Sequence, residues 1–257
     1  VYDSTDVNTN NHLVDAIKAT IEAQHTASNA DFDGVWSLEA YTNSLVIKRN
    51  SGTNAVVTDY TAPTGTPLAF VLTAKGGLAN EGIVAFQDSI PNAGDLPAES
   101  FHGHHVKVLN TNSADDDYYL EYEAFNATRG KGYWKETRAR DTSPGLNAST
   151  MPHQLSNTGA TTFTFGPVTW TDKLAGDVNS NPNPSFIGNK ITATFFYNSR
   201  FGVLSEDNVF FGVANDSFNF FVKSALTQVD SDPIDLNVAS IRPVVLNDVL
   251  PSPQGLM

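Results

Sequence analysis

Three clusters in this 257-residue chain hold residue types that could do chemistry. In "FHGHH" (101–105), an extended backbone would aim His102 and His104 to one side, as a bis-imidazole metal site requires. A third ligand could come from Asp115, Asp116 or Asp117 of "SADDDYY". No other histidine has helpful spacing, so surface or interface histidines are the better reading. The same aspartates suit a hard cation such as calcium, but they follow no calcium-loop spacing and read as a solvated turn. Glycoside hydrolysis needs two carboxyls roughly 5–10 Å apart. Glu121, Glu123, Glu136 and Asp172 are candidates for that pair, although any acidic β protein offers as many.

Other chemistries are excluded or weakly supported. The chain has no cysteine, which removes disulfides, thiolate metal sites and cysteine nucleophiles. "GVLSED" is not a G-x-S-x-G elbow, and "TRGKGYW" lacks the Ser or Thr and the helix of a phosphate loop. Sequons at Asn126, Asn147 and Asn215 are what an Asn- and Thr-rich chain yields by chance. No catalytic, cofactor-binding or metal residues are therefore expected. Trp36, Trp134 and Trp170 could stack on sugar rings, with core packing as the plainer role.

Formal net charge is −13, with only 15 Lys and Arg. Such a surface repels a phosphate backbone rather than binding it by counterion release. Forty per cent apolar and 17% charged residues describe a globular chain in which Asn, Thr, Ser and Gly replace charges. That mix favours strands and turns. No apolar run reaches the roughly 18 residues of a membrane span. The polar start "VYDSTDVNTNN" shows no signal peptide and no initiator Met, and reads as the edge of an excised piece.

The elements that must position these residues are mostly β. "NNHLVDAIKATIEAQH" (10–25) predicts one helix, with Leu13, Ile17 and Ile21 as its stripe, Val14 beside it, and a Lys18–Glu22 pair on the wet side. Strand signals follow in "VWSLEAY", "SLVIKR", "AVVTDY", "LAFVLTA" and "GIVAFQD". "SIPNAGDLPAES" (89–100) reads as an internal boundary. The expected domains are a small α+β unit, one helix on a sheet, over 1–95, and a β-rich unit over 96–257. In the second, "HHVKVLN" and "YYLEYEAF" form a hairpin with Tyr118, Leu120 and Tyr122 on one face. "GYWKETRA" and "TFTFGPVTWTD" continue it. "FFYNSRFGVLSEDNVFFG" (195–212) reads as two apolar strands around an acidic turn, with Phe218, Phe220 and Phe221 closing the same core. Arg200, a lone cation in that run, calls for Asp232 or Asp235 as partner.

The order "YYLEYEAF", "GYWKET", "TMPHQL", "GDVNSNPNPSFIG", "NSRFGVLSEDNV", "FNFF", "DSDPIDLNVAS" resembles the tail nozzle proteins of short-tailed phages, also called tail tubular protein B. The likeness runs from about Phe101 onward, and residues 1–100 fit an insertion more loosely. It implies an internal segment of a structural virion tail protein made in the host cytoplasm, without catalytic residues or cofactors. It further implies β-propeller-blade strands, a homo-hexameric ring, an adaptor and other tail proteins as neighbours, and viral DNA passing through without specific binding. The alternative is a tail-associated polysaccharide hydrolase or glycan-binding module.

Overall fold

The computed structural model describes residues 10–26, 36–42, 44–49, 60–61, 67–68, 86–110, 113, 116–238, 244–252 and 255–256. The described fold is mainly β, in antiparallel sheets, with one α-helix. The chain divides into two compact units, residues 1–106 with 121–135, and residues 107–120 with 136–257.

In the first unit, α1 (Asn10–Thr26) lies on a hairpin of β1 (Trp36–Ala40) and β2 (Leu45–Arg49). Among the α1 residues whose side chains are described, Val14 is buried, Ile21 half-buried and Ile17 exposed, while the Leu13 side chain lies outside the described residues. The Lys18–Glu22 pair forms at 3.5 Å. Short strands β3 (Tyr60–Thr61) and β4 (Pro67–Leu68) pair with each other. The remainder of "AVVTDY" and of "LAFVLTA" lies outside the described residues, as do the first four residues of "GIVAFQD".

A five-stranded sheet follows, built from β5 (Ser89–Ile90), β6 (Glu99–Phe101), β7 (His105–Val108), β8 (Tyr118–Ala124) and β9 (Arg129–Thr137), in the order β5-β7-β8-β9-β6. β7, β8 and β9 each contain a point at which the chain passes between the residue ranges of the two units. β8 alternates as its sequence predicts, with Leu120, Tyr122 and Ala124 buried. The fully buried Tyr122 hydroxyl reaches the carbonyls of Ala98 and Gly130, at 2.9 and 2.6 Å. Trp134 Nε1 donates to Pro97 O at 2.9 Å and its ring meets Tyr122 edge-on.

The second unit holds a hairpin of β10 (His153–Asn157) and β11 (Phe163–Pro167) and a four-stranded meander of β12 (Ile191–Tyr197), β13 (Arg200–Ser205), β14 (Asn208–Phe211) and β15 (Ile234–Asn237). A final pair, β16 (Pro251–Ser252) and β17 (Gly255–Leu256), ends the described chain. Residues 195–212 make three strands rather than two. Besides the acidic turn at Glu206–Asp207, a two-residue turn at Asn198–Ser199 reverses the chain, with φ of 48° and 59°. Positive φ at both positions matches the right-handed twist of the flanking strands.

Met151, Val168, Trp170, Phe186, Val203, Phe210 and Phe220 form the core of this unit. Phe186, Phe210 and Phe220 meet mutually edge-on with centroids 5.3–5.4 Å apart, and Trp170 stacks on Phe220 at 5.0 Å. On the opposite face of the meander the Phe195 ring lies over Gly202, where an added Cβ would sit 2.3–2.6 Å from ring carbons. Gly202→Ala must therefore push that ring aside. It is expected to cost about 1–3 kcal/mol, measured by thermal or urea unfolding; an unchanged midpoint would contradict the packing.

Candidate functional site

The residues with chemical potential are spent largely on the backbone. Arg200 begins β13 just after the Asn198–Ser199 turn and is buried. Its guanidinium donates to four carbonyls: Gly212 O (2.8 Å), Asp232 O (2.6 Å), Ser231 O (3.3 Å) and Asp230 O. The expected carboxylate partners are corrected here. Asp232 contributes its main-chain oxygen, and its Oδ2 accepts from Val229 N at 2.8 Å. Asp235 instead accepts from Ser185 through both oxygens, Oγ to Oδ1 at 2.6 Å and N to Oδ2 at 2.9 Å. A planar fork of five N–H groups suits several carbonyls converging from two stretches of chain.

The segment 176–188 is ordered in the same way. Asp177 Oδ1 accepts from Asn179 N, Ser180 N and Ser180 Oγ, and its Oδ2 accepts from Tyr119 OH at 3.2 Å. Burial alone would raise this carboxyl, but the four hydrogen bonds outweigh it and hold it below the usual range. Buried Asn181 bridges two chain segments, donating to Ala175 O and Val222 O and accepting from Val222 N. Sequence reading missed Asn181, because one Asn in an Asn-rich loop looks like any other.

It also missed Lys173, which is almost fully buried. Lys173 Nζ sits 3.4 Å from Asn183 Oδ1 and 5.0 Å from the Phe221 ring centroid. Desolvation lowers its pKa, with Arg138 adding to the effect and Asp177 opposing it. Asp117 is the buried partner of Lys107, at 2.7 Å, and also accepts from Asn110 N. Those bonds depress its carboxyl, and the same contact raises Lys107.

The sequence candidates do not converge. His102 lies in the turn after β6, not on a strand with His104, and its Nδ1 faces Ala124 N at 3.3 Å. His104 Nδ1 is 2.7 Å from Ser100 Oγ, and its ring stacks on Phe101 and lies tilted to Trp134. Asp115 lies outside the described residues and Asp116 is exposed. No three His, Asp or Glu groups gather in metal-binding range among the described residues. Glu136 accepts from Ser224 Oγ and Ala225 N, both at 2.6 Å, so it holds a turn. Glu123 faces Lys135 at 3.8 Å, Glu121 is half-buried on β8 and Asp172 is exposed. The Trp36 side chain lies outside the described residues; Trp170 is buried and Trp134 half-buried with its Nε1 engaged. Asn126 and Asn147 accept backbone amides two residues onward, and Asn215 has a φ of 61° and donates its amide to Ser199 O. A cleft of 440 Å³ in the first unit is lined by Asp15, Tyr41, Thr42, Glu99 and Arg129, with Glu99 already accepting from Thr42.

Carboxylates, amides and a guanidinium thus brace the loops of this chain. The profile of the bacteriophage nozzle protein family matches residues 2–257, and the chain belongs to that family. It is 32% identical over 198 residues to the tail tubular protein gp12 of Escherichia phage T7, a match covering 77% of this chain and 24% of that protein. The chain thus spans about a quarter of the curated relative it matches. Its place is the virion tail.

Two substitutions test the bracing. Arg200→Met strands carbonyls of Gly212 and Asp232 and is expected to cost about 3 kcal/mol or more, read as a fall in melting temperature. Arg200→Lys should recover only part, because one ammonium cannot span four acceptors. Lys173→Met removes a disfavoured buried charge. Because the folded pKa of Lys173 lies below its unfolded value, the unfolded chain holds the extra proton. Wild-type stability should therefore rise relative to Lys173→Met as pH climbs from neutral toward about 10.4. Parallel pH profiles would contradict that assignment.

Proposed function

We propose that this chain is a structural segment of a phage tail nozzle, a homo-hexameric ring that continues the DNA channel, and that it performs no catalysis. The observation that carries the reading is the family match over residues 2–257. The composition supports it. A conduit must not hold its cargo, and a surface with 28 Asp and Glu against 15 Lys and Arg repels phosphates along the path. Viral DNA then passes without specific contacts, and part of the acidic excess faces the lumen. The adaptor above the ring and further tail proteins are its neighbours.

The meander β12–β15 is the unit we assign to a propeller blade. It is a sequential four-stranded antiparallel sheet with apolar side chains on both faces, as blades stacked around an axis require. One face carries Val203 and Phe210, the other Phe195, Leu204 and Phe211. The commitment of Glu136, Asp177 and Asp235 to backbone amides leaves none of these three free for general acid or base work.

Single-particle imaging of the intact gene product, alone and with its adaptor, tests this. Six-fold rings with a central hole lined by Asp and Glu are expected. Monomers even with adaptor, three-fold spikes, or a lumen lined by Lys and Arg would refute it.

A further inference from the structure

We propose that the β10–β11 hairpin is a contact between copies of this chain. The hairpin stands on two core residues, Met151 before β10 and Val168 after β11, yet no residue from His153 to Pro167 is buried. Its register places Leu155 opposite Phe165 and Asn157 opposite Phe163, so one face is apolar. Leu155, Phe163 and Phe165 remain 63%, 60% and 69% exposed, with His153 stacked on Phe165 at 5.5 Å. The other face carries Gln154, Ser156 and Thr164. No third strand pairs with either edge among the described residues.

Three physical arguments select a second copy as the occupant. An isolated two-stranded ribbon with a bare apolar face is marginal in water, and exposed edges are normally guarded by charge or bulges. Here residues 142–171 contain no Asp, Glu, Lys or Arg, although a chain with 17% charged residues would place about five in thirty positions. Second, copies of a chain carrying −13 repel one another wherever their acidic surfaces meet. A contact between copies therefore belongs on a charge-free surface, whereas a basic partner would be drawn to the acidic ones. Third, the three exposed side chains present roughly 400 Å² of apolar surface, about half of one partner's share in a standard interface. Backbone edges and the threonines can supply the remainder.

The contact rests on the hairpin itself; only the number of copies rests on the ring reading. The test uses the intact gene product. Phe163→Glu and Phe165→Glu, each alone and together, are compared with Phe125→Glu, the same single change at a 75% exposed site on the β8–β9 turn. Far-UV circular dichroism checks that each variant folds, and sedimentation measures association. The hairpin variants are expected to weaken association at least about tenfold, and the control to leave it unchanged. Photo-crosslinking from benzoylphenylalanine at position 155, in mixed isotopically labelled copies, should join peptides of two different copies. Crosslinks only within one chain, or only to another tail protein, overturn the proposal, as does undiminished association. Rings that persist in the hairpin variants would sink this contact and leave the nozzle reading standing. Hairpin-linked dimers without rings would do the reverse, and monomers throughout would remove both.

Discussion

The second unit depends on how buried backbone carbonyls find donors outside regular structure. Between β14 and β15 lie twenty-two residues, 212–233, without a strand of their own, yet they deliver Phe220 and Phe221 to the interior. Irregular backbone can be buried only if its polar groups are paired. Arg200 supplies the donors from the far side of the Asn198–Ser199 turn, binding the segment at Gly212 and again at 230–232. Held at both ends, the segment presents Phe220 to Trp170 and Phe210. The cation is chosen for its geometry rather than for an ion pair.

The same device recurs with other residue types. Asn181 takes Val222 by both amide groups, Glu136 takes Ser224 and Ala225, Asp232 takes Val229, and Asp235 takes Ser185. Each ties one loop to another or closes a turn on itself. These carboxylates, buried at Asp232, half-buried at Glu136 and exposed at Asp235, fix the loops they bind. A segment built so suits a structural part of a virion tail that must keep its form.

Much of the β architecture was legible because it rests on periodicity. Leu120, Tyr122 and Ala124 alternate inward on β8 as their spacing predicts, and Lys18 meets Glu22 one helical turn away. What escaped reading has no sequence signature. Carbonyl acceptors are present at every position, so nothing in "NSRFGVLS" announced that Arg200 would choose four of them over Asp232 or Asp235 side chains. Asn198–Ser199 is a turn by virtue of two positive φ values, which serine seldom adopts, so three strands read as two. Lys173 lies in a loop sequence, "TWTDKLAGD", that carries no sign of its burial. Its burial follows from where Phe221 comes to rest, and that is a tertiary fact.

Native-state hydrogen exchange of individual amides tests the central claim most directly. If side chains brace these loops, the amides of Val222, Ala225, Val229 and Ser185 will exchange as slowly as those of β13, despite lying outside any strand. Exchange at the rate of exposed turns such as Thr158–Thr162 would contradict the account.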